Sequence, residues 1–467
     1  MDALIEIFLR GKWVPAASIH SMGAERCTVE YLPEYMFSDS PQTISLGMPL
    51  EFSAAPLITP DGGGLEYIDR SLPPFLFDLI PQGKGRSYLI AMLELQDSDS
   101  LQMPLLLSGA FNPIGNLRID TAVDFYRKHK DEGASDDLSA MMEGGGGFTM
   151  EDIVKKSEGF LNHLSLHAML AAGTTGVQGV APKFLLTQNA EGRWFADLAL
   201  PDDLAHAHWL VKLPRGRSDA DRAVLRNEAA YLRAASACGL RAEHEPLLVG
   251  EMLFVRRFDR EVGPQGLRRL HQESLASVAG LQGFAPKVDQ GLLLNALRAR
   301  VSDPKAETIE FLKRDALNVA LRNTDNHARN TALQRLHDGT VRMTPVYDFA
   351  PMFMDPEMVP RSSNWILDGR REESFAVIID RLDIPDGEKA EIAGEMREFA
   401  NCVAHLPELG RACGIEPDVL EQCRMSIDRV ANDLARIDVS NFKSAPKVDT
   451  HGQTPEDTRP RARRRPS

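Results

Sequence analysis

Asn323-Thr324-Asp325-Asn326-His327-Ala328-Arg329-Asn330, followed eighteen positions after Asn330 by Asp348 in Tyr347-Asp348-Phe349, decides the reading of this chain. An Asp, an Asn five residues on, and a second Asp beyond a hairpin is how phosphoryl-transfer sites set a catalytic carboxylate and two Mg²⁺ ligands. The intervening residues supply the hairpin: an apolar run from Thr331 to Leu336, the turn His337-Asp338-Gly339-Thr340, and a strand-like Val341 to Val346. Asp-Gly between two such runs is a good hairpin signal. Its return strand is expected to set Asp348 beside Asp325 and Asn330.

Working outward, Ile309, Leu312, Ala316, Val319 and Ala320 share a helical face that runs directly into the motif. Leu420, Cys423, Ile427, Val430 and Leu434 repeat the pattern after Pro417 at a helix start. From Gln272 onward the chain reads as mainly helical. Upstream, apolar strands alternate with turns: Lys183–Thr187, Trp194–Leu200, His208–Leu213, Leu247–Val249 and Met252–Val255. One clear helix lies among them, from Asp219 to Cys238, with Val224, Tyr231, Leu232 and Ala235 on one face and Gly239 at the C-terminal cap position. A further helix is expected from Thr149 to Leu170. A sheet carrying one such helix is the make-up of a kinase small lobe. The first 118 residues are short and strand-like, cut by Gly11, Gly62-Gly63-Gly64, Pro73-Pro74 and Pro81-Gln82-Gly83, with helices near Pro74–Leu79 and Arg86–Leu95.

The organisation predicted is a β-rich N-terminal subdomain over 1–118, a small lobe over 119–260, a helical catalytic lobe over 261–440 and a disordered basic tail over 441–467. Gly144-Gly145-Gly146-Gly147 lacks a following Lys-Ser/Thr and reads as a connector. The tail ends in Arg459-Pro460-Arg461-Ala462-Arg463-Arg464-Arg465 without periodicity.

Transfer of a γ-phosphoryl group from ATP needs metal ligands, a cation on the phosphates, backbone amides over them, and a base near the attacking hydroxyl. Asp325 is the candidate catalytic carboxylate; its structural alternative is a helix-end cap. Asn330 and Asp348 offer the hard oxygens that Mg²⁺ prefers. His327 reads as a phosphate-proximal or structural hydrogen-bonder. Lys212 closes the apolar run Trp209-Leu210-Val211-Lys212, as a phosphate-binding Lys does. Glu228 on the following helix is available to pair with it, or else lies on a solvated face. Val177-Gln178-Gly179-Val180-Ala181, ahead of Lys183, forms a glycine-containing turn that lets backbone approach phosphate. Arg256 and Phe258, in Phe254-Val255-Arg256-Arg257-Phe258-Asp259-Arg260, fall where a hinge would face adenine, or form a plain edge strand.

Composition sets limits around this reading. The chain has 467 residues, 43% hydrophobic and 26% charged, as expected of a soluble protein with two or three compact units. A net charge of −14 argues against a general nucleic-acid surface. The five cysteines are scattered without a CxxC pair and read as reduced and packed. The acidic start Met1-Asp2-Ala3-Leu4-Ile5-Glu6 does not read as a signal peptide, and no segment approaches the roughly 18 apolar residues of a membrane span. A cytoplasmic protein without membrane contact is expected.

In order, these segments resemble the HipA family of bacterial serine/threonine kinases, the toxin half of HipA–HipB toxin–antitoxin pairs. The residues that carry the resemblance begin with Gly11-Lys12-Trp13, Ser45-Leu46-Gly47-Met48-Pro49-Leu50, Phe77-Asp78-Leu79-Ile80-Pro81 and Gly83. They continue with Gly179, Pro182-Lys183, Val211-Lys212-Leu213-Pro214, Asn227-Glu228, Arg257-Phe258-Asp259-Arg260 and Gln272-Glu273, and close on the two opening motifs. The resemblance implies an α+β, two-lobed protein-kinase-like fold with a small β-rich N-terminal subdomain and a mainly helical C-terminal lobe. It implies Asp325 as catalytic Asp, Asn330 and Asp348 on Mg²⁺, and Lys212 on ATP. It further implies a protein substrate such as an aminoacyl-tRNA synthetase, and a small helix-turn-helix antitoxin of HipB type through which alone DNA is contacted. One position departs from the pattern. Where family members often carry an autophosphorylated Ser, this chain has Gly176, leaving Thr175 as the candidate substitute. A nucleotide-binding regulatory subunit of a repressor complex is therefore the alternative reading, and phosphorylation of a small molecule shares the same site chemistry.

Overall fold

The computed structural model describes residues 2–23, 26–51, 57–58, 67–68, 71–98, 100–133, 146–156, 160, 183–264, 266–284 and 287–442. Thr175, the 177–181 turn and the basic tail lie outside the described residues.

At the N-terminus, Asp2–Leu9 and Lys12–Ser21 form a tight hairpin through Arg10 and Gly11, whose φ angles of 51° and 80° match the twist of a two-residue turn. Cys27–Tyr31 and Leu117–Ile119 extend the antiparallel sheet on its two sides. Ile5, Ile7, Ala17 and Ile19 are fully buried beneath the short turn Pro74–Asp78 and the helices Gln102–Gly109 and Asp120–Gly133.

A second antiparallel sheet follows, in the order Leu247–Val249, Met252–Arg256, Ala205–Lys212, Lys183–Asn189, Trp194–Ala196. Its core is aromatic: Trp194 packs on Trp209 and Phe254 with ring centroids 5.6 and 5.5 Å apart. The sheet carries the helix Asp219–Ala237, opened by a capping box between Ser218 and Asp221 and closed by Gly239 at φ 78°. Of the helix expected from Thr149 to Leu170, the first turns are described, and beyond 156 the span, apart from residue 160, lies outside the described residues. Thr149 and Asp152 cap Met150–Val154, and Lys156 leaves the helix at φ 52°.

The periodic face predicted for Asp219–Ala237 needs correction. Val224 is only half-buried, whereas Asn227 and Glu228 are buried. This helix is covered on two sides, by its own sheet through Leu225 and Ala229 and by the C-terminal helices Leu406–Cys413 and Pro417–Ala435. Asn227 ties this helix to the C-terminal segment. Its Nδ2 donates to the Ala223 carbonyl (2.8 Å) and its Oδ1 accepts from the Glu416 amide (2.9 Å). Arg233 Nε donates to the Cys413 carbonyl at 2.8 Å.

The C-terminal lobe packs Gln290–Arg298, Pro304–Ala320, Asp386–Ala404 and Pro417–Ala435 around one apolar core, in which Cys423 is buried on its helix face. It is less uniformly helical than the sequence suggests. The predicted hairpin forms from Ala332–Arg335 and Val341–Met343, and its outer edge is taken by His271–Ser274. A second small sheet joins Val288–Asp289, Ser363–Leu367 and Arg370–Glu372. Strands of two to five residues carry too little alternation to be separated from loops by pattern alone. Among the described residues no helix is long and apolar enough to cross a membrane. The result is an α+β, two-lobed, kinase-like fold preceded by a β-rich N-terminal unit.

Candidate active site

Four elements bring charge to this part of the cleft between the lobes. The strand Ala205–Lys212 ends at Lys212, which lies directly opposite Lys183 on the neighbouring strand. Like charges facing each other across a sheet destabilise it unless anions compensate. The anions come from elsewhere in the chain. Glu228 descends from the helix, and Asp348 returns from beyond the hairpin. The Lys212 ammonium ion-pairs with both Glu228 Oε1 and Asp348 Oδ1, while Lys183 Nζ lies 3.6 Å from Asp348 Oδ2. All four side chains are at least nearly nine-tenths buried, with exposures of 6% and 7% for the lysines, 7% for Glu228 and 11% for Asp348.

Burial disfavours the charge on Lys212, but Asp348 and Glu228 outweigh it and hold the ammonium above its ordinary range. Burial likewise opposes ionisation of Asp348, and Lys183 and Lys212 reverse this, bringing its carboxyl down to about 2. Glu228 moves the other way: burial and the nearby Asp348 raise it against the pull of Lys212. Lys183 is lowered, chiefly by burial. The two carboxylates sharing Lys212 are thus inequivalent, Asp348 being the more firmly ionised.

Asp348 adopts a left-handed backbone with φ 49°, a conformation that Asp tolerates better than most residues. The next residue, Phe349, is buried against Tyr231 with ring centroids 5.2 Å apart. Tyr231 sits one helical turn beyond Glu228, so one helix packs the Asp348 segment and also supplies the anion that anchors Lys212.

Across the cleft, Pro304–Ala320 ends before Asn323, and residues 323–330 form a loop. Asp325 is therefore not the cap of a helix start. Its backbone carbonyl accepts from Asn330 Nδ2 at 2.8 Å, which closes the loop, and His327 Nε2 lies 3.5 Å from its Oδ1. Burial and Asp348 raise the Asp325 carboxyl, partly offset by His327 and Lys183. Burial lowers His327 against the pull of Asp325 and Asp348. Asn330 Oδ1 and Asp348 Oδ2 are buried without a hydrogen-bond partner. Asp325, Asn330 and Asp348 line one cavity together.

The cleft itself has a volume of about 270 Å³, lined by Lys183, Lys212, Glu228, Asp325, His327 and Asp348. A narrower, mainly apolar pocket adjoins it at Lys212 and Asp348, walled by Leu210, Leu232, Val255, Arg256, Phe258 and Tyr347. Arg256 and Phe258 thus lie at its rim. The Arg256 guanidinium is 5.2 Å from the Trp209 ring, and the Phe258 carbonyl accepts from Gln334 Nε2 at 2.8 Å. Among the described residues, the structure assembles Lys183, Lys212, Glu228, Asp325, His327 and Asp348 at the cleft, with Asn330 beside Asp325 and Asp348 in the adjoining cavity.

Sequence reasoning missed three contributors. Ile114, from the N-terminal unit, reaches the apolar pocket. Arg215 spans the cleft to Asp355 (2.7 Å) and Glu357. Arg257 lies within a buried cluster with Asp197 (2.7 Å) and Asp259 (2.9 Å) behind the same pocket. Only Arg257-Phe258-Asp259, with alternating charges around an aromatic, left a sequence trace.

Known proteins share sequence and fold with this chain. A 24% identity over 362 residues relates the chain to the putative kinase Y4dM of Sinorhizobium fredii (strain NBRC 101917 / NGR234), covering 74% of this chain and 76% of that protein. The fold is similar to that in the Shewanella oneidensis MR-1 complex of HipA, HipB and operator DNA, with a TM-score of 0.57, 18% identity, and 94% of this chain matched to 97% of the other. Residues 5–120 match the HipA N-terminal domain and residues 175–419 the HipA-like C-terminal domain, and the chain belongs to the HipA family.

Proposed function

We propose that this protein is an ATP- and Mg²⁺-dependent serine/threonine kinase of the HipA toxin type, acting in the cytoplasm on a protein of the translation apparatus such as an aminoacyl-tRNA synthetase. The observation that carries the reading is Lys212, held by Glu228 and in contact with Asp348 at the mouth of an apolar pocket. In this arrangement Lys212 binds the α and β phosphates, with Glu228 fixing its direction, and Lys183 adds a second positive charge beside it. The apolar pocket takes the adenine ring and excludes water from it.

Asn330 and Asp348 would hold Mg²⁺, whose charge neutralises the phosphate oxygens. Asn330 Oδ1, buried without a hydrogen-bond partner, and Asp348 Oδ2, which accepts no hydrogen bond and has Lys183 Nζ at 3.6 Å, fit that role. Among the described residues no group of three His, Cys, Asp or Glu side chains is arranged to hold a metal, in keeping with a site that relies on phosphate and water for the remaining ligands. Asp325 orients the acceptor hydroxyl and takes its proton as the oxygen bonds to the γ-phosphorus and the bond to ADP breaks. Its raised pKa makes it a better proton acceptor than an ordinary carboxylate.

The partner proposed is a small helix-turn-helix antitoxin of HipB type, through which DNA is approached. It is supported by the similarity in fold to a HipA found with HipB and operator DNA. The test is transfer of labelled phosphate from ATP to candidate synthetases, with Mg²⁺ and with chelator, for the wild type and Asp325→Ala. Magnesium-dependent transfer that falls about 10²–10⁴-fold in the variant supports the reading. Tight ATP binding with transfer no greater than that of Asp325→Ala overturns it in favour of a nucleotide-binding regulatory subunit.

A further inference from the structure

The loop that carries Asp325 and Asn330 is not held by the catalytic lobe alone. Arg329, immediately before Asn330, turns away from the cleft, and its side chain is 1% exposed. Its guanidinium ion-pairs with Asp78 Oδ1, from the N-terminal unit. It also donates to Ser274 Oγ (3.1 Å) and to the Gly283 carbonyl, and lies 5.7 Å from the Phe77 ring. The second Asp78 oxygen accepts the Ser274 amide at 2.8 Å.

That second bond reaches the loop by another path. The segment beginning at Ser274 grips the C-terminal part of the loop: the Ala276 amide donates to the Ala328 carbonyl (3.1 Å) and the Leu275 amide to the Thr331 carbonyl (2.8 Å), on either side of Arg329 and Asn330. The Arg329 carbonyl in turn accepts the Tyr347 hydroxyl at 2.7 Å, next to Asp348. One carboxylate of the N-terminal unit therefore holds the loop by its buried side chain and by the backbone that flanks it. Among the described residues Asp78 is the one acidic group paired with Arg329.

We propose that the N-terminal unit completes the catalytic site, Asp78 acting as a positioning residue that sets Asp325 and Asn330 through Arg329 and Ser274. The unit is then part of the catalytic apparatus rather than an appended module. Ile114, from the same unit, extends its reach to the wall of the apolar pocket. The inference rests on the phosphotransfer reading for its consequence, though not for its geometry. A small misplacement of reacting groups can cost about a hundredfold in rate without disturbing ligand binding.

The experiment compares the full-length wild type with Asp78→Asn and with Arg335→Ala. Arg335, at the far end of the strand that leaves the loop, joins the same two units through Thr43 (2.9 and 2.7 Å) without touching Asp78 or Arg329, and reports loss of docking alone. Folding is checked by circular dichroism and elution volume, ATP·Mg²⁺ affinity by titration calorimetry, turnover with labelled ATP, and loop order by hydrogen exchange of the peptide spanning 323–331. Asp78→Asn is expected to bind ATP within threefold of the wild type, to lose at least tenfold in kcat, and to exchange at least tenfold faster in that peptide. Arg335→Ala should leave turnover and exchange in the loop unchanged. Unchanged exchange in Asp78→Asn overturns the proposal, as does an equal effect of Arg335→Ala. A wild type without phosphotransfer defeats the kinase reading instead, and the exchange comparison still decides the positioning role. Should Asp78→Asn fail to fold, Asp78→Glu, which keeps the charge, is read the same way.

Discussion

Replacing Glu228 with Gln tests the heart of the proposed site, because it keeps the side-chain shape and removes one charge. In the wild type two lysines face two carboxylates, with Lys212 shared between Glu228 and Asp348 and Lys183 3.6 Å from Asp348. Each close pair is worth about 4 kcal/mol of gross attraction at an effective dielectric near 20. Burial of the carboxylate and the nearby Asp348 outweigh that attraction, which is why Glu228 is raised, so folding stability should change by less than about 1 kcal/mol. Catalysis is affected differently. Without Glu228, Lys212 is drawn onto Asp348, the residue proposed for Mg²⁺, and no longer points at the phosphates. If half of the 4 kcal/mol attraction is lost from the transition state, kcat/KM for ATP falls by about thirtyfold. Single-turnover release of phosphate from labelled ATP, run beside Asp325→Ala, measures this directly. A Glu228→Gln enzyme within twofold of the wild type, with Asp325→Ala inactive, would refute the assignment of Glu228 as the anchor of Lys212.

Asp348 is held near 2, below the ordinary 3.8. Its ionisation therefore contributes stability of about 2 kcal/mol that is present above roughly pH 4 and lost as the pH falls through about 2. Urea unfolding of wild type and Asp348→Asn at a series of pH values should show a gap that narrows on acidification; a constant gap contradicts it. Glu228, raised above its usual 4.5, acts with the opposite sign, and Glu228→Gln should gain relative stability as the pH rises. Phe349→Ala empties the contact with Tyr231 and should cost about 3–5 kcal/mol in chemical denaturation; a loss under 1 kcal/mol would show that the contact does not pack the site. Arg215→Ala removes the bridge to Asp355 and Glu357. Its KM for ATP should rise a few-fold with kcat and melting temperature nearly unchanged, and an unaltered KM would show that the bridge plays no part in holding the cleft.

The sequence was most informative where chemistry depends on local spacing. Asp325, Asn330 and Asp348 occupy fixed offsets around a hairpin whose Asp-Gly turn is written in four residues, and Gly239 and Pro417 mark helix ends by backbone conformation alone. It was least informative about Glu228. A periodicity argument assigns each helix one buried face, and this helix has two, the second docked on helices that lie nearly two hundred residues further along. The helical reading beyond Gln272 missed the sheet of Val288–Asp289, Ser363–Leu367 and Arg370–Glu372, and the edge strand His271–Ser274 beside the predicted hairpin, for a related reason, since very short strands are defined by their partners.

What the chain determines by itself is therefore the order of its parts: strand, lysine, helix, loop carboxylate, hairpin, second carboxylate. Local backbone preference and side-chain period encode these, because they act over a few residues. Tertiary structure alone decides which charges meet. Lys212 and Asp348 are 136 positions apart, and Asp78 and Arg329 are 251 apart. Nothing in either neighbourhood names its partner. Burial is what enforces the choice, because a charge removed from water is tolerable only beside its complement, and which complement is within reach depends on the packing of the whole molecule.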